Sequence, residues 1–275
     1  MERKFGIFAE CLRGVSSVDA LPLIKEAGFN CYATRLFELE DVKRLTDAGD
    51  KLGFKCDFIH APFVGKDFFN NDIWRDGIKY DMHLLQYYKR SIDSASACGI
   101  PKIIIHLLSC LGRYSCEFSD IGMRRLDELV MYAAEKGVIL AFENQLRIGL
   151  MAYIADRYES CANVGFCYDM GHEHCLSGYR YDKDMSWMDI YRDKLVTTHI
   201  HDNPGIPEDK SMPERDFHLL PFEGNIDYSV PMAKLDKYGY TGPLILEVSN
   251  KDHLDMPHEE FLALCYSRLD RLSKM

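Results

Sequence analysis

The chain has 275 residues, 47% hydrophobic and 28% charged, with a formal net charge of −10 at pH 7. Such a composition is ordinary for a globular protein and long enough for one large α/β barrel or two small domains with a well-buried core. The acidic balance argues against a nucleic-acid partner, which needs a basic face, and no stretch reaches membrane-spanning length.

In chain order, short apolar runs alternate with longer amphipathic ones. KFGIF (4–8) reads as a strand and 18–27 as a helix stopped by Gly28. CYATRLF (31–37) is the next strand, followed by a helix over 40–52 stopped by Gly53. CDFIHAPF (56–63) leads through an irregular loop to a helix over 77–98, stopped by Gly99, and KIIIHLLS (102–109) leads to a helix over 119–136, stopped by Gly137. Glycine just past a helix end takes the left-handed closing conformation without a Cβ clash. The alternation continues with strand VILAFENQ (138–145), helix 150–161, strand VGFCYDMG (164–171), helix 187–194 and strand VTTHIHDN (196–203). After the long polar loop 203–227 come helix 228–238, strand PLILEVSN (243–250) and helix 257–272.

Eight strands that are apolar on both faces, each followed by a helix, imply a parallel sheet covered by helices. Eight such units in this length fit a single-domain (β/α)8 barrel over residues 1–275. The alternative, an open doubly wound sheet, lacks a glycine-rich phosphate loop after the first strand. The ten cysteines are scattered and form no CxxC pair, so they are expected to be free thiols and not a zinc knuckle. The opening MERKFGIFAECLRG lacks the apolar centre of a signal peptide, and with the free thiols this leads us to expect a cytoplasmic protein.

The polar residues that end these strands carry the functional signal. They are His60, His106, Glu143, Asp169 with His172, His199 with His201 and Asp202, and Glu247; a D-x-H in the loop after strand seven adds Asp216 and His218. Strand C-termini are where barrels of this kind build active sites. Each residue has a bland alternative: a hydrogen-bonded histidine at a barrel mouth, a strand-capping glutamate, a helix-capping aspartate. Together the bland readings fail on magnitude. Four carboxylates around one mouth, with no lysine or arginine at the corresponding strand ends, would each cost several kcal/mol if buried unpaired, against a total stability of about 5–15 kcal/mol. A divalent cation removes that cost. The mixed carboxylate–imidazole set suits Zn2+, Mn2+, Co2+ or Fe2+ better than Ca2+ or Mg2+, and no organic cofactor is expected. His201, further past its strand end than His199, is expected to support the ligands from behind.

The ordered series IHAPF, IIIHLLS, AFENQ, CYDMGH, HIHDN, DFHLLPFEGNIDY and LILEVS resembles the xylose isomerase-like barrel superfamily, and within it the sugar phosphate isomerase/epimerase group. The resemblance implies one divalent metal held by Glu143, Asp169, His199 and Glu247, with Glu143 and Glu247 as acid/base residues in proton transfer through an enediolate. It also implies additional metal-ligating or substrate-binding roles for His60, His106, His172, Asp216 and His218, which match the further ligands of the three-zinc apurinic endonuclease of the same superfamily. Two departures count against the endonuclease: Phe63-Val64-Gly65 follows the HAP motif where that family has tyrosine and an apolar wedge, and Phe217 stands where its D-x-H carries an arginine. The expectation is therefore a metal-dependent isomerase or epimerase of a sugar, sugar phosphate or related polyol or keto compound. The alternatives are a multi-zinc phosphoesterase and a barrel that binds its ligand without turnover. Homo-oligomers are common among similar proteins, though no interface is legible here. Phe63, Phe68, Phe69, Trp74, Tyr179, Tyr181 and Trp187 flank the same mouth, as do Arg113, Arg147, Arg180 and Arg215, which could clamp a phosphate.

Overall fold

The structure, a computed structural model, describes residues 3–65, 70–76, 78–107, 119–145, 148–176, 187–205 and 216–275. Eight parallel strands form a nearly closed barrel: β1 (Phe5–Phe8), β2 (Cys31–Thr34), β3 (Lys55–His60), β4 (Lys102–Ile105), β5 (Ile139–Glu143), β6 (Val164–Asp169), β7 (Leu195–His199) and β8 (Leu244–Leu246). Each pairs with its sequence neighbour, and β1 also pairs with β8. The last seam, between β7 and β8, is made by Ile200 and Leu246: Ile200 N–H donates to the Ile245 carbonyl at 2.8 Å, and Glu247 N–H to that of Ile200 at 3.0 Å. Closure thus falls beside the strand ends carrying His199 and Glu247.

The covering helices are α1 (Ser17–Glu26), α2 (Leu39–Lys51), α3 (Ile78–Ala97), α4 (Asp120–Glu135), α5 (Ile148–Arg157), α6 (Met170–Leu176), α7 (Trp187–Tyr191), α8 (Ser229–Lys237) and α9 (His258–Ser273). Ser16 and Ser119 cap α1 and α4 with their hydroxyls, and Gly28, Gly53, Gly99 and Gly137 all take positive φ just past their helices, as read from the sequence. Strand alternation sorts the core into two parts. Phe8, Ala33, Phe58, Ile104, Ala141, Cys167 and Ile245 fill the barrel interior, while Ile7, Tyr32, Ile59, Ile103, Ile105 and Leu140 join the layer packed with the helices.

Most strands end earlier than the sequence reading placed them, and two of these differences bear on the site. The eighth strand ends at Leu246 rather than at 250, because Asn250 begins a 3-10 turn whose side chain accepts from Arg13 N–H. The sixth strand ends at Asp169, and DMGH opens α6, which hydropathy did not separate from the strand; Asp169 Oδ1 accepts the His172 N–H at 2.6 Å and so caps the turn. The eight described cysteines form no disulfide with one another, and no described helix is long and apolar enough to cross a membrane.

Ile104 lies fully buried at the centre of the barrel interior. Ile104→Ala is expected to destabilise the fold by about 2–5 kcal/mol, measured by denaturant unfolding; a loss below about 1 kcal/mol would mean that the interior is not close-packed there.

Candidate metal centre

Each expected residue sits at the barrel's C-terminal rim. His60, Glu143, Asp169 and His199 are the last residues of β3, β5, β6 and β7, while His106 and Glu247 each lie one past their strands. In the β6–β7 register Asp169 stands opposite His199. One ligand-capable atom from each of Glu143, Asp169, His199 and Glu247 lies within 4.8 Å of the others, and all four residues are buried. His60, Glu143 and His199 form a second such group; His172, His201, Asp216 and His218 form a third.

Glu143 is the hub. Its Oε2 is 3.0 Å from His106 Nε2, 3.4 Å from His60 Nε2 and 3.1 Å from His199 Nδ1, and its Oε1 is 2.9 Å from His172 Nδ1. His199 Nδ1 is also 3.1 Å from Glu247 Oε2 and 3.7 Å from Asp169 Oδ2. Yet among the described residues Glu143 Oε1, both ring nitrogens of His199 and Asp216 Oδ1 are buried and find no partner in hydrogen-bond geometry. Lone pairs crowded together but not paired in hydrogen-bond geometry are what a cation-binding set requires.

The histidines are pre-set for this. His60, His172 and His218 place Nδ1 against the backbone carbonyls of Ala61 (3.1 Å), Asn144 (3.1 Å) and Glu247 (2.9 Å). An Nδ1–H donated to a carbonyl leaves the Nε2 lone pair facing the cluster. His106 is the exception. The Gln145 amide lies 3.1 Å from its Nδ1, its Nε2 lies 3.0 Å from Glu143 Oε2 and 3.1 Å from His60 Nε2, and it belongs to none of the three groups. His218 takes a φ of +48°, uncommon for a side-chain-bearing residue, which brings Nε2 to 3.2 Å from Asp216 Oδ2.

VTTHIHDN divides its labour. His199 and His201 point to the cluster, His201 Nε2 lying 3.0 Å from Asp169 Oδ1 and its ring stacking on His218 at 4.0 Å. His201, expected to support the ligands from behind, makes that contact to Asp169 and is itself a member of the third group. Asp202 and Asn203 hold the loop that delivers Asp216 and His218: Asp202 accepts from Phe222 N–H (2.9 Å) and Ile226 N–H (3.2 Å), and Asn203 Oδ1 from Phe217 N–H (2.5 Å). Asn144, in FENQ, ties β5 to β6 by exchanging hydrogen bonds with the Asp169 backbone at 2.7 and 2.8 Å.

Without a cation, imidazolium charge balances these acids. Burial opposes the charged ring of His172, but Asp169 and Asp216 hold its pKa well above the usual value. At His199 burial likewise loses to Cys167, Glu143 and Glu247, and at His218 to Asp216, which lifts the ring to about 9. Burial raises Glu143, yet His106 and His199 pull it well below the carboxylate range.

One expectation is corrected. The strand ends are not free of cationic side chains: Arg35, one residue past β2, places Nη2 2.7 Å from Glu247 Oε1. Sequence reading put Arg35 inside a longer strand and so overlooked it, although a charged residue following CYAT was itself a boundary signal. Phe63 stacks on His106 at 4.5 Å, but Trp74 and Trp187 are buried in packing, Trp74 donating its indole N–H to the Leu107 carbonyl. Phe68, Phe69, Tyr179, Tyr181, Arg113, Arg147, Arg180 and Arg215 lie outside the described residues.

Against known proteins, residues 21–264 match the model of the family described as xylose isomerase-like TIM barrel, and the chain belongs to that family. A curated relative, an uncharacterized protein of Sinorhizobium fredii, is 26% identical, the match covering 83% of this chain and 79% of that one. Among solved structures, 3-keto-D-glucoside 4-epimerase from E. coli superposes with a TM-score of 0.68 at 16% identity, covering 100% of both chains. D-allulose 3-epimerase from Methylomonas sp. superposes with a TM-score of 0.70 at 15% identity, covering 99% of both. These structural likenesses establish the shared fold.

A cation bound at about 100 times its Kd stabilises a protein by about 2.7 kcal/mol, roughly 5–10 °C in melting temperature for a chain of this size. Chelator-treated protein should therefore melt lower, regain that difference with Mn2+, Zn2+ or Co2+, and lose most of the response in an Asp169→Ala variant. An unchanged melting temperature with every ion would refute the metal centre.

Proposed function

We propose that this barrel is a divalent-metal-dependent isomerase or epimerase acting on a sugar, sugar phosphate or related polyol or keto compound. The observation that carries this reading is the placement of two carboxylates, Glu143 and Glu247, each 3.1 Å from the same nitrogen of His199. Family membership supports it, as do the fold relatives whose named activities are epimerisations of keto sugars.

Glu143, Asp169, His199 and Glu247 would hold the metal. Bound there, it would polarise a substrate carbonyl and offset the negative charge that develops when the adjacent carbon loses its proton. Glu143 and Glu247 are then the proton carriers. One takes the carbon-bound proton, and the other returns a proton to the opposite face of that carbon or to its neighbour. Both are buried, at 1% and 6% exposure, which limits the bulk water that reaches that proton. His172, between Glu143 and Asp216, is placed to hold a substrate oxygen or to join a second ion.

The test is solvent-deuterium uptake into a panel of ketoses by metal-loaded protein. Glu143→Gln and Glu247→Gln should each lower exchange by about 100-fold or more; exchange retained in both variants would remove these residues from the acid/base role.

The three residue groups, two of which share Glu143 and His199, also favour a second reading, a two- or three-zinc phosphoesterase. Elemental analysis of protein purified without chelator separates the two. About one ion per chain fits the epimerase; three zincs together with cleavage of abasic DNA at low enzyme concentration would replace it.

A further inference from the structure

Arg35 is a basic side chain set against the candidate centre, and its surroundings fix it unusually well for a half-exposed arginine. The backbone that carries it is clamped by Glu10, whose carboxylate accepts from the Thr34 hydroxyl at 2.6 Å and from Arg35 N–H at 3.2 Å; Leu36 N–H then donates to the Thr34 hydroxyl at 3.1 Å. The guanidinium lies 4.1 Å from the centroid of the Phe8 ring, which belongs to the barrel interior and also packs edge-on against His199. Its Nη2 meets Glu247 Oε1 at 2.7 Å. Ring and carboxylate therefore fix both the plane and the rotation of the fork.

The exposure of the pair is lopsided. The Arg35 side chain is 43% exposed and that of Glu247 only 7%, so the guanidinium is the solvent-facing member of the pair. A guanidinium carries five N–H donors, and among the described residues Glu247 is the one acceptor it meets. Among the described residues, then, the rest of the fork has no acceptor, and it lies beside a proposed proton carrier. Its charge is already balanced by Glu247, and the neighbouring rim is rich in carboxylates. A hydroxyl or carbonyl oxygen can accept one of the remaining charged N–H groups without adding a further charge to the rim.

We propose that Arg35 is a substrate-binding residue that holds uncharged oxygens of a polyhydroxy compound next to the reacting carbon, while its ion pair keeps Glu247 aimed at the same carbon. This inference rests on the isomerase/epimerase reading for the proton step, but oxygen recognition by Arg35 can be measured without turnover.

The experiment measures three quantities on Mn2+-loaded wild type, Arg35→Met and Arg35→Lys: affinity for the neutral polyols ribitol, xylitol and sorbitol, kcat and KM for deuterium uptake into the ketose panel, and Mn2+ affinity. Arg35→Met is expected to weaken polyol binding and raise KM by about 10- to 100-fold, with a smaller loss in kcat and Mn2+ affinity within about threefold. Arg35→Lys, which keeps the charge without the planar fork, should recover only part of this, and added guanidinium ion should partly rescue Arg35→Met. Should Arg35→Met fold poorly, Arg35→Lys and Arg35→Gln read the same quantities. Polyol affinity and KM unchanged within about twofold would overturn the proposal. So would a fall in kcat and Mn2+ affinity together at constant KM, which would make Arg35 only a support for Glu247, and so would wild-type protein that binds no polyol. Wild type that binds polyol through Arg35 yet exchanges no carbon-bound proton would uphold the inference and defeat the isomerase reading.

Discussion

Repulsion among buried carboxylates at one rim is the constraint on which this molecule turns. Glu143, Asp169 and Glu247 are all buried, with oxygens within 4.8 Å of one another. Two like charges about 4 Å apart repel by roughly 4 kcal/mol even at an effective dielectric of about 20, so the set cannot stand without positive charge close by. Imidazolium rings and Arg35 provide some of it. But the rings are oriented by backbone carbonyls in a way that points Nε2 lone pairs inward at His60, His172 and His218, an arrangement more useful to a cation than to a protonated ring.

The barrel makes such crowding tolerable. Parallel strands bring residues far apart in sequence to one level, as the Asp169–His199 register shows, and the seam between β7 and β8 is tied by backbone hydrogen bonds flanking Ile200. Beneath the polar layer, Phe8 and Phe58 pack against His199 and form an apolar floor. Positions are therefore fixed by the scaffold before any ligand arrives, which is the condition under which electrostatic preorganisation aids chemistry.

The alternation of eight strands and helices, the glycine stops and the acids and histidines at the strand ends were legible in the chain, because apolar runs and left-handed closures are local properties. What escaped was non-local or shorter than the hydropathy pattern resolves. The helix α6 begins within DMGH because Asp169 caps it while also facing the cluster, and apolar spacing alone cannot assign one residue to both tasks. Asp202 looked like one more acid at the rim, but its partners are backbone amides some twenty residues later, visible only once the loop has folded back. Arg35 was hidden because nothing local marks a guanidinium 212 residues away from its carboxylate as that carboxylate's neighbour.

That last pairing breaks the apparent symmetry of the two glutamates. Glu143 is enclosed by imidazoles, with Oε1 finding no partner in hydrogen-bond geometry among the described residues, whereas Glu247 divides its oxygens between His199 and Arg35. In the proposed reaction, a carboxylate ringed by groups that can share a proton and one tied to a guanidinium that cannot release one meet different costs on accepting a proton. The two faces of a substrate carbon lying between them would thus be chemically unequal. Directionality in such a site would come from which neighbours each carboxylate was given, since the carboxylates themselves are alike.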